Sequence, residues 1–402
     1  MSTAIEGATT DLAAAGTADA NSYSARPQDE LLPFLSNFHD IFTTIGVVIL
    51  AAGLGLGVGQ VMDGLSMEAG SVAWQLSLIG LIGGVGVVFW LISALLVGSQ
   101  RRILPGIVLS VAFSVSAATV IGWLYFLFAT EVAGIEEQMM QISGADVDVD
   151  GVPTRADVMA MVNQLPLVAR AFPIVIGLAA LVPTYLYYRA FRLPFAGGLV
   201  GVSLVLLAVL TLTVIDPYTL VVYNPTVSLA AGLALFLAGM WFDARDPERT
   251  TRLSGTGFWL HFFAAPVLLG AVLTITRIGW SLDFTDIEAE MTAFFAAIDS
   301  AEAVSIATTT LIVMGVFALV SLLINRRALI VAGLVTTGIS IGVLVNQLGM
   351  GVGAGVAVTL LALGGLVVVL GAAWNPLRAV LLAPFPRSGP IAAIFPPATN
   401  NE

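Results

Sequence analysis

Ten stretches of this chain are too apolar and too long to face water, and together they take up more than half of its 402 residues. They run over roughly 41–62, 72–98, 103–130, 171–189, 193–215, 226–242, 257–277, 304–324, 328–348 and 352–374. Crossing the hydrocarbon core of a bilayer takes about 20 apolar residues in a helix. Lipid offers the backbone no hydrogen-bond partner, so each segment must bond to itself. The pattern therefore predicts an all-α, polytopic transmembrane helix bundle of about ten spans. Only 10% of residues are charged, against about 25% in a soluble domain. The second and third spans exceed the minimum, which predicts tilt or helix continuing past the membrane. The stretch 217–225, PYTLVVYNP, is bounded by two prolines and reads as a buried or interfacial loop rather than helix.

Arginine sets the expected orientation, because cytoplasmic loops retain basic residues. All 15 basic residues are arginine. Arg101 and Arg102 follow the second span, Arg189 and Arg192 the fourth, Arg245, Arg249 and Arg252 the sixth, Arg326 and Arg327 the eighth, and Arg378 and Arg387 the tenth. The alternate loops hold only Arg155, Arg170 and Arg277. This predicts an N-in/C-in arrangement, with both termini cytoplasmic. Arg101, Arg102, Arg189, Arg192, Arg326 and Arg327 are expected to meet anionic lipid headgroups.

Residues 1–30 read as a disordered tail, 31–382 as the transmembrane domain and 383–402 as a second tail. Leu31, Phe34, Leu35, Phe38 and Phe42 recur at helical spacing, suiting an interfacial helix before the first span. Two outer segments, 131–170 and 278–303, are long enough to fold locally. In the second, Thr285 and Glu288 have capping-box spacing, and Ile287, Met291, Phe294, Phe295 and Ile298 line one helix face.

The absences exclude several chemistries. Without lysine there is no phosphate-loop lysine and no Schiff base. With no cysteine there is no thiolate nucleophile, iron–sulfur ligand or disulfide. Two widely separated histidines do not make a zinc site. A net charge of −11 argues against nucleic acid as a partner. The bilayer is the expected partner, and no cofactor is expected apart from the calcium considered next.

In the first outer segment, Asp146, Asp148, Asp150, Gly151 and Asp157 fall on positions of a calcium-loop pattern. Against it, the last ligand position holds Asp rather than Glu, and Pro153 interrupts the loop. The competing reading is a tight Asp150-Gly151 turn followed by a helix that Thr154 caps. The glycines at 53/57, 55/59, 80/84 and 338/342 are spaced four apart. That puts small residues on one helix face, for close packing in lipid.

The stretch 243–266, DARDPERTTRLSGTGFWLHFFAAP, is the candidate functional region. His261 lies in an apolar span, and an ionisable group there is a functional hypothesis by default. Trp259, Asp243, Asp246, Glu248, Arg249 and Arg252 accompany it. The sequence shows no acidic partner for His261 within a span. The favoured expectation is that His261 and Trp259 anchor the start of the seventh helix while the loop pairs charges across neighbouring hairpins.

The segments DPERTTRLSGTGFWLHFFAAP, NRRALIVAGLV and GAAWNPLRAVLL together resemble a group of uncharacterised, mainly alphaproteobacterial, polytopic inner-membrane proteins. That resemblance implies a bacterial inner (cytoplasmic) membrane location, and no substrate or reaction. Three function classes follow: a membrane scaffold or accessory protein, a transporter of a small or lipophilic molecule, and, last, a membrane enzyme using the 243–261 region.

Overall fold

The computed structural model describes residues 38–143, 154–246, 252–281, 300–386 and 388–396. Among these residues there is no strand. The expected tail 1–30, Asp146, Asp148 and Asp150, Glu248 and Arg249, and the amphipathic helix proposed within 281–303 lie outside the described residues or nearly so.

Among the described residues ten helices are long and apolar enough to cross a membrane. The first three are α1 (Phe38–Gly64), α2 (Val72–Ser93) and α3 (Leu104–Leu127). Two short outer helices follow, α4 (Ile135–Ser143) and α5 (Arg155–Gln164). Then come α6 (Leu167–Phe191), α7 (Pro194–Ile215), the short α8 (Pro217–Val222), α9 (Asn224–Arg245) and α10 (Arg252–Ile278). The last spans are α11 (Ser300–Ile324), α12 (Ala328–Asn346) and α13 (Val352–Ala372). Two further short helices, α14 (Trp374–Leu382) and α15 (Pro390–Ile394), end the described chain.

The long second and third spans do continue as helix. Each closes on wider π-helical turns, Ala94–Ser99 after α2 and Phe128–Val132 after α3. The stretch 217–225 departs from the expectation of a loop. Asp216 accepts the Thr219 N–H and hydroxyl as an N-cap, and Pro217 sits at the first helical position, where its missing donor costs nothing. Two prolines delimit this short helix instead of abolishing it.

Polar contacts tie helix ends together and show which ends lie side by side. Arg102, after α2, reaches Asp40 (3.4 Å) and Thr43 (2.7 Å) in the first turns of α1. Trp374 Nε1, after α13, donates to Asn325 Oδ1 (2.9 Å), between α11 and α12. At the opposite end Arg155 pairs with Asp216 (2.6 Å), and Arg277 pairs with Glu302. Successive spans thus run antiparallel, with the arginine-rich turns gathered at one end. Three of those turns pass through a left-handed residue that is not glycine: Arg101, Arg192 and Asn325, with φ of 50–56°.

Three buried clusters run in a row through the bundle. Val47, Phe89 and Leu109 join α1, α2 and α3. Val97, Tyr187, Leu193, Phe195 and Ala196 join that end of α2 to α6 and α7. Leu235, Leu260, Ala264, Leu268, Met314, Phe317 and Leu329 join α9, α10, α11 and α12. The central member is α10: 44% of its apolar window is buried, against none of that of α13. The protein core is therefore built around the helix that carries His261.

Glycine at the helix crossings makes this possible. A Cβ on Gly232 would lie 2.8 Å from Leu268, and one on Gly198 would lie 2.6 Å from Trp259. Of the pairs expected to pack, Gly338 and Gly342 do meet α13 through Leu363 and Thr359. Gly53, Gly55, Gly57, Gly59, Gly80 and Gly84 do not: a Cβ on any of them would meet nothing within 4 Å. Spacing puts them on common faces, but other faces of α1 and α2 meet the bundle.

Candidate functional site: a buried Asp–His–Arg cluster

His261 sits two turns into α10 and is fully buried. Its Nε2 lies 3.0 Å from Asp243 Oδ2, in the last turn of α9. The sequence expectation that no acidic partner stands within a span is thereby corrected. Asp243 reads as a loop residue because the charged run DARDPER begins with it, yet α9 continues to Arg245 and carries the carboxylate inward.

Asp243 is also bound by Arg326. Arg326 Nε donates to Oδ2 (3.0 Å) and Nη2 donates to Oδ1 (2.6 Å), the two-pronged geometry that suits a guanidinium to a carboxylate. Nη2 further donates to Ser254 Oγ (2.9 Å) in the first turn of α10. Arg326 is only 1% exposed, so the expectation that it contacts lipid headgroups is wrong. It follows the left-handed Asn325, and its own N–H closes on the Ser321 carbonyl. This tight turn aims the side chain back into the bundle rather than outward. Arg102 departs from the expectation in a milder way: it is half-buried and fastened to α1. Arg101, Arg189 and Arg192 are exposed, and Arg327 lies over the Trp374 ring at 5.0 Å.

Backbone approaches hold the cluster in place. A Cβ on Gly239 would sit 2.8–3.0 Å from the His261 ring atoms, and a Cβ on Gly257 would sit 2.5 Å from Asp243 Oδ1. The imidazole therefore lies against one bare glycine and the carboxylate against another. Phe236 covers the ring further, at 4.9 Å between centroids. Asp243 and Arg326 are matched charges. With Asp243 ionised, the bond from His261 requires Nε2 to carry the proton. His261 Nδ1 is then a buried acceptor with no hydrogen-bond partner among the described residues. Such an atom costs about 1–3 kcal/mol when left unmet.

The other candidates lie in distinct places. Trp259 lies between Phe195 and Phe263 on the face of α10 that meets α7. Asp246 is buried just beyond Asp243. The backbone of Arg252 begins α10. Asp157 is the one proposed calcium ligand within the described residues. Its carboxylate accepts the N–H and hydroxyl of Thr154 in a reciprocal capping box. Those bonds hold Asp157 below its ordinary carboxyl pKa, the Thr154 hydroxyl bond foremost. Thr154 thus caps a helix, as one of the two readings of this loop required. Among the described residues no group of three metal-ligating side chains gathers.

No family model, curated protein or solved structure matches this chain.

Beneath the cluster, a second set of contacts had no sequence signal strong enough to single it out. Arg378, in α14, is buried and donates to the Leu322 carbonyl (2.8 Å) and the Pro396 carbonyl (2.7 Å). Phe385 stacks near Phe395, and α15 packs against α9. The segments 374–386 and 388–396 therefore form a strap folded across the end of the bundle that holds Asp243 and Arg326. The described part of the expected tail 383–402 is docked.

Proposed function

We propose that this protein is an accessory or scaffold component of a bacterial inner membrane, acting through its helix surfaces and both termini facing the cytoplasm. One observation carries the reading: the ionisable groups of the most buried span are committed to holding helices together. Asp243, His261, Arg326 and Ser254 join α9, α10 and the α11–α12 turn, with glycine backbones closing over the ring and the carboxylate. A buried polar network of this kind fixes one arrangement of helices. The Thr308 and Thr310 hydroxyls, within the span α11, bond to carbonyls of their own helix. The arginine-rich ends and anionic lipid support the orientation. The resemblance to the alphaproteobacterial inner-membrane group is in keeping with it.

The test is a deletion strain compared with its complemented parent by native electrophoresis of membrane complexes and by metabolite profiling. The accessory reading expects a specific complex to be lost or mis-assembled, with no small molecule accumulating. One small molecule building up on one side of the membrane, with the complexes intact, overturns it in favour of a transporter.

A further inference from the structure

We propose that the α2–α3 and α6–α7 turns together form a binding site for an acidic phospholipid, held through Arg101, Arg189 and Arg192. The inference goes beyond an accessory role and does not depend on it. A basic turn by itself reports only membrane orientation. Three observations at these two turns ask for more.

First, the two turns make one surface. Phe191 and Leu193, on either side of Arg192, both pack on the α2–α3 turn. A Cβ on Gly98 would lie 3.8 Å from Phe191, and one on Gly106 would lie 2.9 Å from Val97 and 3.4 Å from Leu193. Deeper in, Phe191 lies against Trp90 at 5.0 Å between centroids, and the buried Tyr187 hydroxyl donates to Ser93 Oγ (3.0 Å). Arg101 falls between Gly98 and Gly106 in the chain, so it shares this surface with Arg192.

Second, the guanidinium groups on that surface are unmatched. Arg101, Arg189 and Arg192 are exposed, and none has an ion pair or a side-chain hydrogen bond among the described residues. The carboxylates described at this end of the bundle are Asp40, Asp243 and Asp246. Arg102 takes Asp40, Arg326 takes Asp243, and Asp246 is buried just beyond it. Arg245 and Arg327 lie over Trp241 and Trp374 instead. Unmatched positive charge therefore gathers on two adjoining turns. Third, Arg101 and Arg192 occupy left-handed positions, with φ of 56° and 50°. Glycine is the usual residue at such a helix end, because a Cβ there is strained. Both turns thus carry an arginine side chain where the backbone favours none.

The neighbouring surface says which anion. Tyr185 and Leu186 precede Arg189 by four and three positions, so all three share a face of α6, and both are exposed. Leu91 and Leu95, exposed on α2, lead up to the Arg101 turn. Charge at the end of the spans with bare apolar surface below it suits a phosphate headgroup above its acyl chains. A soluble acidic peptide would leave that apolar surface unused.

The test uses the full-length protein in dodecyl maltoside, titrated with phosphatidylglycerol or phosphatidylcholine. Native mass spectrometry reads bound lipid, and thermal unfolding reads the stabilisation that binding brings. Phosphatidylglycerol should bind more tightly than phosphatidylcholine and raise the midpoint further. Arg101→Gly combined with Arg192→Gly suits the left-handed backbone, so the lipid-free variant should melt close to the parent. Its affinity for phosphatidylglycerol should fall by about tenfold or more. Arg245→Gln combined with Arg327→Gln removes the same charge from the same end, and should change that affinity by less than about threefold. If the glycine pair does not fold, Arg189→Gln combined with Arg192→Gln replaces it, and the same loss is expected. Equal losses in the site pair and the Arg245/Arg327 pair overturn the proposal, because a diffuse field rather than a site would then hold the lipid. An unchanged affinity in the site pair overturns it too. Stabilisation by inorganic phosphate as great as that by phosphatidylglycerol overturns it in favour of a soluble anion. Stabilisation by a polyglutamate peptide and not by the lipid overturns it in favour of an acidic protein partner.

Discussion

At the residue scale, two glycines decide whether the Asp–His–Arg cluster can exist. Gly239 and Gly257 are unremarkable in the sequence, and neither belongs to the four-apart pairs that spacing picks out. Their role is visible only where α9 and α10 cross. Overpacking a close contact costs about 1–3 kcal/mol. Gly239→Ala and Gly257→Ala should each lower stability by about that much, while Gly53→Ala, facing open space, should be neutral or slightly stabilising. Thermal unfolding of the three purified variants in one detergent checks the contrast. His261 itself was legible as a buried ionisable group. Its partner was not, because Asp243 stands at the head of a charged run and nothing local tells how far α9 continues past the apolar window.

At the element scale, helix ends carry most of the information that hydropathy misses. The turn after α11 ends in Asn325 with φ 54°, which throws Arg326 inward and leaves Arg327 outside on Trp374. Adjacent arginines of identical chemistry therefore have unlike energetic roles. Removing one partner of a buried ion pair costs about 3–5 kcal/mol, whereas a half-exposed cation–π contact contributes about 0.5–1 kcal/mol. Arg326→Ala should severely lower the unfolding midpoint, and Arg327→Ala should barely move it.

The short helix α8 offers a pH test at the other end. Asp216 is held below the ordinary carboxyl value, first by the Thr219 hydroxyl and also by the Thr219 N–H and Arg155. A depressed folded-state value means the cap's contribution is complete above the unfolded value near 4 and lost as pH falls through the folded value. Amide protection at Tyr218–Val222 in hydrogen exchange should thus hold at neutral pH and fall below about pH 4. In Asp216→Asn that pH dependence should vanish.

At the scale of the whole molecule, the ten antiparallel spans found among the described residues place Gln100 and Asn325 at one end and Gly134 and Gly279 at the other. The chain has no cysteine, so single cysteines at these positions can be labelled without background. In intact cells the second group should react with an impermeant maleimide, and the first only after the membrane is opened. Reaction of the 325 and 279 positions from the same side would sink the arrangement. The span count, the helical class and the alternation of arginine-rich turns were determined by sequence alone. The reason is that a bilayer imposes its thickness and its lack of hydrogen-bond partners on every segment independently, so each span can be read by itself. What only the tertiary structure decided is which faces meet. Lipid and protein interior are equally apolar, so hydropathy cannot separate the bare glycines of α1 from those beneath His261. Nor could it show that Asp243, His261 and Arg326, up to 83 positions apart, share one hydrogen-bonded cluster at the crossing of α9 and α10.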